Sequence, residues 1–321
     1  MKLLRYQYRG EVRVGILDGE HVVDLSDALV SEGTLTEGDQ RIITDTTALI
    51  AAGEYGRELS ERALELSRSK GIGRKPLDGL PLRAPLRPEI ILCSGENYWD
   101  HREEKPPVEG KEPEFFIKVP QGVIGPDEDI VLDPVVTKKL DYETELAVVI
   151  GKPGRHISVE KALQHVFGYT VMNDVTARDR QVRMRPDGTC WYALGPGKNF
   201  DTCAPMGPVL VTRDEIPDPQ TLGLCTRIND DVRQMNSTAK MIWSVAELVK
   251  FFSTFLTLQP GFVISTGTPG GTAWASDPDL GGRPYQRGDV VRPAGYLTPG
   301  DVVSCEIERI GVLRNKVVLS S

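Results

Sequence analysis

Residues that would announce a chemistry outright are scarce in this sequence. Its 321 residues include four dispersed histidines (His21, His101, His156, His165) and five scattered cysteines (Cys93, Cys190, Cys203, Cys225, Cys305) with no CxxC pair. A zinc knuckle and a disulfide framework are therefore excluded, and reduced thiols in a reducing compartment are expected. No apolar run approaches the roughly 20 residues of a membrane span. The opening MKLLRYQYRGEVRV carries charge too early and too often for a secretory leader. Lys and Arg (38) are outnumbered by Asp and Glu (46), giving a net charge of −8. That balance disfavours nucleic acid and anionic membranes, which select clustered basic residues. The expectation is a cytoplasmic protein that binds neither. No GxGxxG follows a strand and regular βαβ alternation is missing, which argues against a Rossmann fold. Gly197-Lys198 is not a phosphate-loop lysine, because position 192, where that motif needs its first glycine, is tyrosine.

What is present is mostly strand. Residues 12–24 read as two alternating strands about an Asp18-Gly19 turn. A helix is expected over 55–66, with Tyr55, Leu59, Ala63 and Leu66 on one face and Gly71 and Gly73 closing it. The stretch 73–88, rich in Pro, Gly and basic residues, reads as a linker and sets a domain boundary near residue 80. The expected organisation is a small α+β domain over 1–80 and a catalytic domain over 81–321. Short strands follow at EIILCSG, FFIKVP, DIVLD, ELAVVIG, GYTVMND, PVLVT and LGLCTRIND, with two more in the tail. The charged, Pro-interrupted 101–114 reads as a surface loop able to move. Helices are expected from Ser158 and over 243–258, the latter with Ser244 and Glu247 as a capping box and Leu248, Phe251, Phe252, Phe255 and Leu256 on one face. Many strands with two or three helices make a β-rich α+β fold.

The chemistry concentrates in a few stretches. In LDYETELAVVIG, Asp141, Glu143 and Glu145 alternate, so an extended chain points all three to one face. Two carboxylates about 6 Å apart repel by roughly 3 kcal/mol at an effective dielectric of 20, and by under about 1 kcal/mol in water. A wet edge strand tolerates the ladder; inside a cleft it needs protons, basic partners or a cation. Both readings stand at this point. Asp174 closes the strand GYTVMND and is either a turn residue or a further carboxylate aimed at the same spot. An all-oxygen set suits Mg²⁺ or Mn²⁺. In ENYWDHREE, His101 and Glu104 are three apart, as neighbours on a helical turn; the pair is either solvated or a carboxylate-oriented general base on a closing lid. Lys198 in GPGKNFD is either a surface lysine or a fixed cation for a developing oxyanion. STGTPGGTA permits close backbone approach and could hold a carboxylate.

Taken in order, these stretches resemble the fumarylacetoacetate hydrolase family from about Glu89 to the C-terminus. The likeness rests on GENYWDHREE, LDYETELAVVIGK, GYTVMNDVTARDRQ, GKNFDT, GPVLVTRDEIPDP, RQMNSTAKMIW and PGFVISTGTPGG. It implies a β-roll-like catalytic domain, a homodimer and one divalent cation, Mg²⁺ or Mn²⁺, with Ca²⁺ able to take its place. Carried over by motif, Glu143, Glu145 and Asp174 would hold the metal, with Asp141 beside them. His101 and Glu104 would be the dyad on a lid, and Lys198 would stand near the reacting carbonyl. Gln181, Thr268 and Tyr98 would contact substrate.

The resemblance implies a small 2-keto or 2,4-diketo acid substrate, polarised as its enolate. The leading expectation is hydrolysis of a C–C bond in acylpyruvate-like diketo acids, with the dyad activating water. The alternative is decarboxylation of oxaloacetate, or enol–keto isomerisation or hydration, at the same site. A structural Ca²⁺ site is a third reading, and it leaves a His–Glu pair without a use. Four features depart from the family pattern: Glu96, Asn229-Asp230, the Gly195-Pro-Gly197 insertion and the long segment 275–300.

Overall fold

A computed structural model describes residues 1–104, 112–283 and 295–320. Its centre is the strand Thr144–Ile150, buried along its whole length. The apolar run LAVVI has no polar face because it has two cores. Leu146, Val148 and Ile150 join one cluster, with Tyr169, Val171, Leu248, Phe252, Val303 and Leu313. Ala147 and Val149 join the other, with Leu3, Val14, Leu29, Leu59 and Met172. Each fully buried Val, Leu or Ile in such a strand contributes about 1.5–3 kcal/mol.

Around it lies a large mixed sheet. The strand Val166–Asn173 pairs antiparallel on one side, with Glu145 opposite Met172 and Thr144 opposite Asn173. Val263–Ser265 pairs antiparallel on the other side, and Ile91–Gly95 then runs parallel to it. Glu114–Lys118 ends the sheet there. Beyond Val166–Asn173 the order continues through Ala204–Thr212 to Lys2–Tyr8, Glu11–Asp18, His21–Asp24 and Arg74–Pro76. A second, five-stranded sheet runs Asp231–Ser237, Gly223–Ile228, Val302–Ile307, Gly311–Leu319, Ile130–Leu132 and faces the first across one core. The fold is β-rich α+β, as the sequence pattern requires.

The expected helix after Ser244 runs Val245–Phe255, and both halves of its capping box form: Ser244 Oγ accepts from Glu247 N, and Glu247 Oε2 accepts from Ser244 N at 2.7 Å. Its apolar face divides, because Leu248 and Phe252 are buried while Phe255 and Leu256 are exposed beside Phe115. The N-terminal helix is longer than its periodicity, Glu54–Lys70, and stops at Gly71, whose φ of +71° suits glycine. In the N-terminal part three helices escape the pattern: Leu25–Val30, Glu37–Thr44 and Thr46–Ala51. Each is one or two turns long, too short to show a period, and each starts at a side-chain cap, Asp24, Thr36 or Asp45. The stretch 73–88, expected as a linker, contains the short strands Arg74–Pro76 and Leu82–Arg83, which pair with N-terminal strands. No helix among the described residues is long and apolar enough to cross a membrane.

Candidate active site

The sheet brings the carboxylate ladder and Asp174 together. Short strands Leu140–Asp141 and Thr176–Ala177 pair antiparallel. Between them and the long pair, Asp174 N donates to Glu143 O (2.9 Å) and Glu143 N to Asn173 Oδ1 (2.9 Å). Glu143, Glu145 and Asp174 are all buried, and one oxygen from each lies within 4.8 Å of the others. The ladder is thus not a solvated strand face.

Each carboxylate has its own partners. Glu145 Oε2 accepts from Ser265 Oγ (2.5 Å) and Gly267 N (2.9 Å), the start of the STGTPGG turn. Asp174 accepts from two buried lysines, Lys118 Nζ (2.5 Å) and Lys198 Nζ (2.7 Å). Lys198 Nζ also donates to Glu143 Oε2 and Thr176 Oγ1, both at 2.7 Å. Arg178 donates to Glu143 Oε1, to Asp141 Oδ2 (2.7 Å) and to Gln181 Oε1 (2.8 Å). Asp141 therefore does not face the cluster's centre; it holds Arg178 and accepts from Ala273 N (2.9 Å) and Trp274 N (3.0 Å).

Among the described residues three cations thus face four carboxylates, and Glu145 is the acid without an ion-pair partner. Burial, then the charges of Asp174 and Glu143, push its pKa up to about 8. Burial acts the same way on Glu143, but Lys198 and Arg178 outweigh it and bring that group down to about 2. Buried oxygen donors with one uncompensated charge fit a hard divalent cation, which would take the role no side chain fills at Glu145.

The dyad lies across the cavity. His101 rides on the helix Trp99–Glu103, and its Nδ1 is 2.7 Å from Glu104 Oε2. Glu104 Oε1 accepts from Gly271 N at 2.5 Å. Burial on its own lowers the proton affinity of His101, but the hydrogen bond and charge of Glu104, with Glu143 behind, raise it overall. Burial raises Glu104 despite His101 and Gly271. Contrary to the expected surface loop, both residues are buried, because the turn 271–274 and the Trp274 ring pack over them. The rest of that stretch, 105–111, lies outside the described residues.

His101, Glu143, Glu145, Asp174, Arg178, Gln181, Lys198 and Thr268 line one cavity, with Phe116, Tyr192, Leu194 and Trp274 also in its wall. It holds about 50 Å³, where one water needs roughly 10–15 Å³. Tyr98 does not line it; its ring sits in the core, and its backbone bridges Met241. The Thr268 hydroxyl is committed to the frame, donating to Thr144 O (3.0 Å) and accepting from Gln234 Nε2 (2.9 Å). The Gly195-Pro-Gly197 insertion lies in the short helix Leu194–Lys198, which delivers Lys198 into the acid cluster. Gly197 passes so close to Gln181 that an added Cβ would sit 2.5 Å from Gln181 Cβ. Glu96, at φ +52°, and Glu114 stand at the rim. Asn229 holds Val302 N and Asp301 in a turn away from the cavity.

Arg178 and Lys118 carry no expected role from the sequence, yet both lie within recognised stretches, VTARDRQ and FFIKVP. A basic residue inside an apolar strand is a signal in itself, since it needs a buried acid to be there.

This architecture and acid cluster define a class. Residues 90–318 match the family described as fumarylacetoacetate (FAA) hydrolase C-terminal, and the chain belongs to the fumarylacetoacetate hydrolase family. It is 40% identical to the Homo sapiens protein named oxaloacetate tautomerase FAHD2A, mitochondrial, over 85% of this chain and 79% of that one. It is 36% identical to oxaloacetate tautomerase YisK of Bacillus subtilis (strain 168), over 94% of both. Among solved structures, fumarylacetoacetate hydrolase from Exiguobacterium antarcticum superposes with a TM-score of 0.76 at 32% identity, covering both chains completely. Maleylpyruvate hydrolase from Sphingobium sp. SYK-6, in complex with manganese(II) and pyruvate, superposes with a TM-score of 0.73 at 27% identity, again covering both chains completely.

Proposed function

We propose that this protein is a divalent-cation-dependent enol–keto tautomerase of a compact 2-oxo acid, with oxaloacetate as the favoured substrate. The observation that carries the reading is a buried imidazole, His101 tied to Glu104, across a small cavity from three gathered carboxylates. Two relatives that cover most of the chain bear the name oxaloacetate tautomerase, which supports the choice of reaction.

Glu143, Glu145 and Asp174 would hold the cation. When bound, it supplies Lewis acidity toward the oxygens of the 2-oxo acid. The chain's own groups do the rest. His101, with Nδ1 engaged by Glu104, has Nε2 left for substrate. In the keto-to-enol direction a proton leaves C3 for Nε2 and one returns to the C2 oxygen; the reverse runs through the same groups, and no water is consumed. Glu104 fixes the imidazole and favours its charged form. Lys198 and Arg178 balance Glu143 and Asp174, and Gln181 lies beside Arg178 at the cavity wall.

Hydrolysis of an acylpyruvate, the leading expectation from sequence, shares every one of these parts but needs space for an attacking water as well. The names borne by two relatives favour tautomerisation over that cleavage. The test follows enol oxaloacetate by its ultraviolet absorbance with Mg²⁺ or Mn²⁺, beside cleavage of acetylpyruvate and maleylpyruvate. Faster enol decay, abolished by chelator and by His101→Ala, is expected; cleavage of the diketo acids without tautomerase activity would overturn the assignment.

We further propose a homodimer. Phe115, Ile117 and Val119 alternate along and just past the sheet's end strand, all exposed, and Phe255 and Leu256 are exposed near them. An exposed edge with such an apolar row is a surface proteins normally cover. The five cysteines are all free, which supports a reducing setting.

A further inference from the structure

The segment from Gly271 to Arg283 starts and finishes on one residue of the dyad. At its start, Gly271 N donates to Glu104 Oε1 (2.5 Å) and Thr272 Oγ1 to Glu104 Oε2 (3.3 Å). At its far end, Arg283 N donates to the main-chain carbonyl of Glu104 (2.8 Å). Between these anchors stands Trp274, buried and lining the cavity. Its indole meets the His101 ring nearly edge-on, with centroids 6.3 Å apart and planes at 72°. The Arg178 guanidinium lies 5.5 Å from the indole centroid, and the Tyr192 ring stands at 88° to it, 6.2 Å away. The residue is pinned by its main chain and by its ring: its N–H donates to Asp141 Oδ2 and its Nε1 to Leu280 O, each at 3.0 Å. Gly282 closes over it so tightly that an added Cβ would sit 1.8 Å from the Trp274 carbonyl oxygen.

We propose that Trp274 is a positioning residue for His101, its indole fixing the plane of the imidazole so that Nε2 addresses the substrate carbon. A hydrogen bond at Nδ1 alone leaves the ring free to tilt about that bond. The indole removes this freedom, and its own ties to Asp141 and Leu280 make it a rigid stop. Aromatic pairs favour this edge-to-face arrangement. The groups bearing on His101 are Glu104 from its own helix, and Glu143 and Arg178 from the facing elements. The inference rests on the role proposed above for His101.

The experiment compares Trp274→Leu and Trp274→Phe as full-length protein loaded with Mn²⁺. A small displacement of a proton carrier costs about 10²-fold in rate, so Trp274→Leu is expected to lower kcat by about 10–100-fold with KM and Mn²⁺ affinity unchanged. Trp274→Phe, which keeps an aromatic edge, is expected to retain most of kcat. With four histidines in the chain, the His101 ring signal can be assigned by NMR on the protein loaded with diamagnetic Mg²⁺ in place of Mn²⁺; it should shift, and its titration midpoint should move, in the Leu variant and far less in the Phe variant. This readout needs no turnover, so a wild-type protein inert toward oxaloacetate defeats the tautomerase reading and leaves the inference testable. An unmoved His101 signal, or a raised KM at constant kcat, would overturn it. If the Leu variant fails to fold, Trp274→Met, which also lacks an aromatic edge, takes its place under the same criteria.

Discussion

Binding of a divalent cation should expel close to one proton at neutral pH, and the source should be Glu145. Its pKa of about 8 means that at pH 7 about nine molecules in ten carry a proton there, at pH 6 nearly all, and at pH 9 about one in ten. A metal ligand must be ionised, so that proton leaves on binding. Apparent affinity should then rise about tenfold from pH 6 to pH 7, or about 1.4 kcal/mol, and level off above pH 8. Isothermal titration of Mn²⁺ in buffers of differing ionisation enthalpy measures the protons directly: about 0.9 released at pH 7 and about 0.1 at pH 9. Glu145→Gln should bind the ion more weakly and release none. Zero release from the wild type at pH 7 would mean Glu145 is already ionised or is not a ligand. Equal release from wild type and Glu145→Gln would place the proton on another group. Either result would refute the charge count of three cations against four acids.

Three further outcomes follow from the geometry. Glu104→Gln removes the charge that outweighs burial at His101, so the acid limb of the pH–rate profile should move to lower pH while the rate falls about 10²-fold or more; a limb moving upward would contradict the dyad. Arg178→Met leaves the buried Asp141 without its cation and Glu143 with Lys198 alone, and thermal or urea unfolding should show a loss of about 3–5 kcal/mol; a neutral effect would mean Asp141 takes up a proton without cost. Phe255→Asp should weaken self-association by at least about tenfold, or about 1.4 kcal/mol, in sedimentation or light scattering; an unchanged mass would move the interface elsewhere.

Much of this was legible in the chain, for reasons that can be named. Strand alternation put Glu143 and Glu145 on one face, and the Ser244–Glu247 capping box marked the longest helix of the catalytic part. Two properties were not legible. Burial of His101 and Glu104 depends on a turn more than 160 residues away, while the local sequence is as charged as any surface loop. The roles of Arg178 and Lys118 depend on counting charges inside a site whose members come from separate strands, and no single segment displays that sum. Tyr98, expected from the resemblance to contact substrate, is absent from the cavity wall, because the chain turns its ring into the core on the way to the helix.

The first strand, Lys2–Tyr8, lies directly against Ala204–Thr212, and the hydrophobic layer beneath the N-terminal helices is shared with Ala147, Val149 and Met172. Ala147 and Val149 follow Glu145 at alternate positions of its strand, and Met172 lies two before Asp174. The N-terminal stretch therefore packs against the strand that carries Glu145 and the strand that leads into Asp174. An amino-terminal truncation would bare a raw sheet margin and loosen that packing together, so shortened versions should fail through precipitation before any chemistry can be assayed.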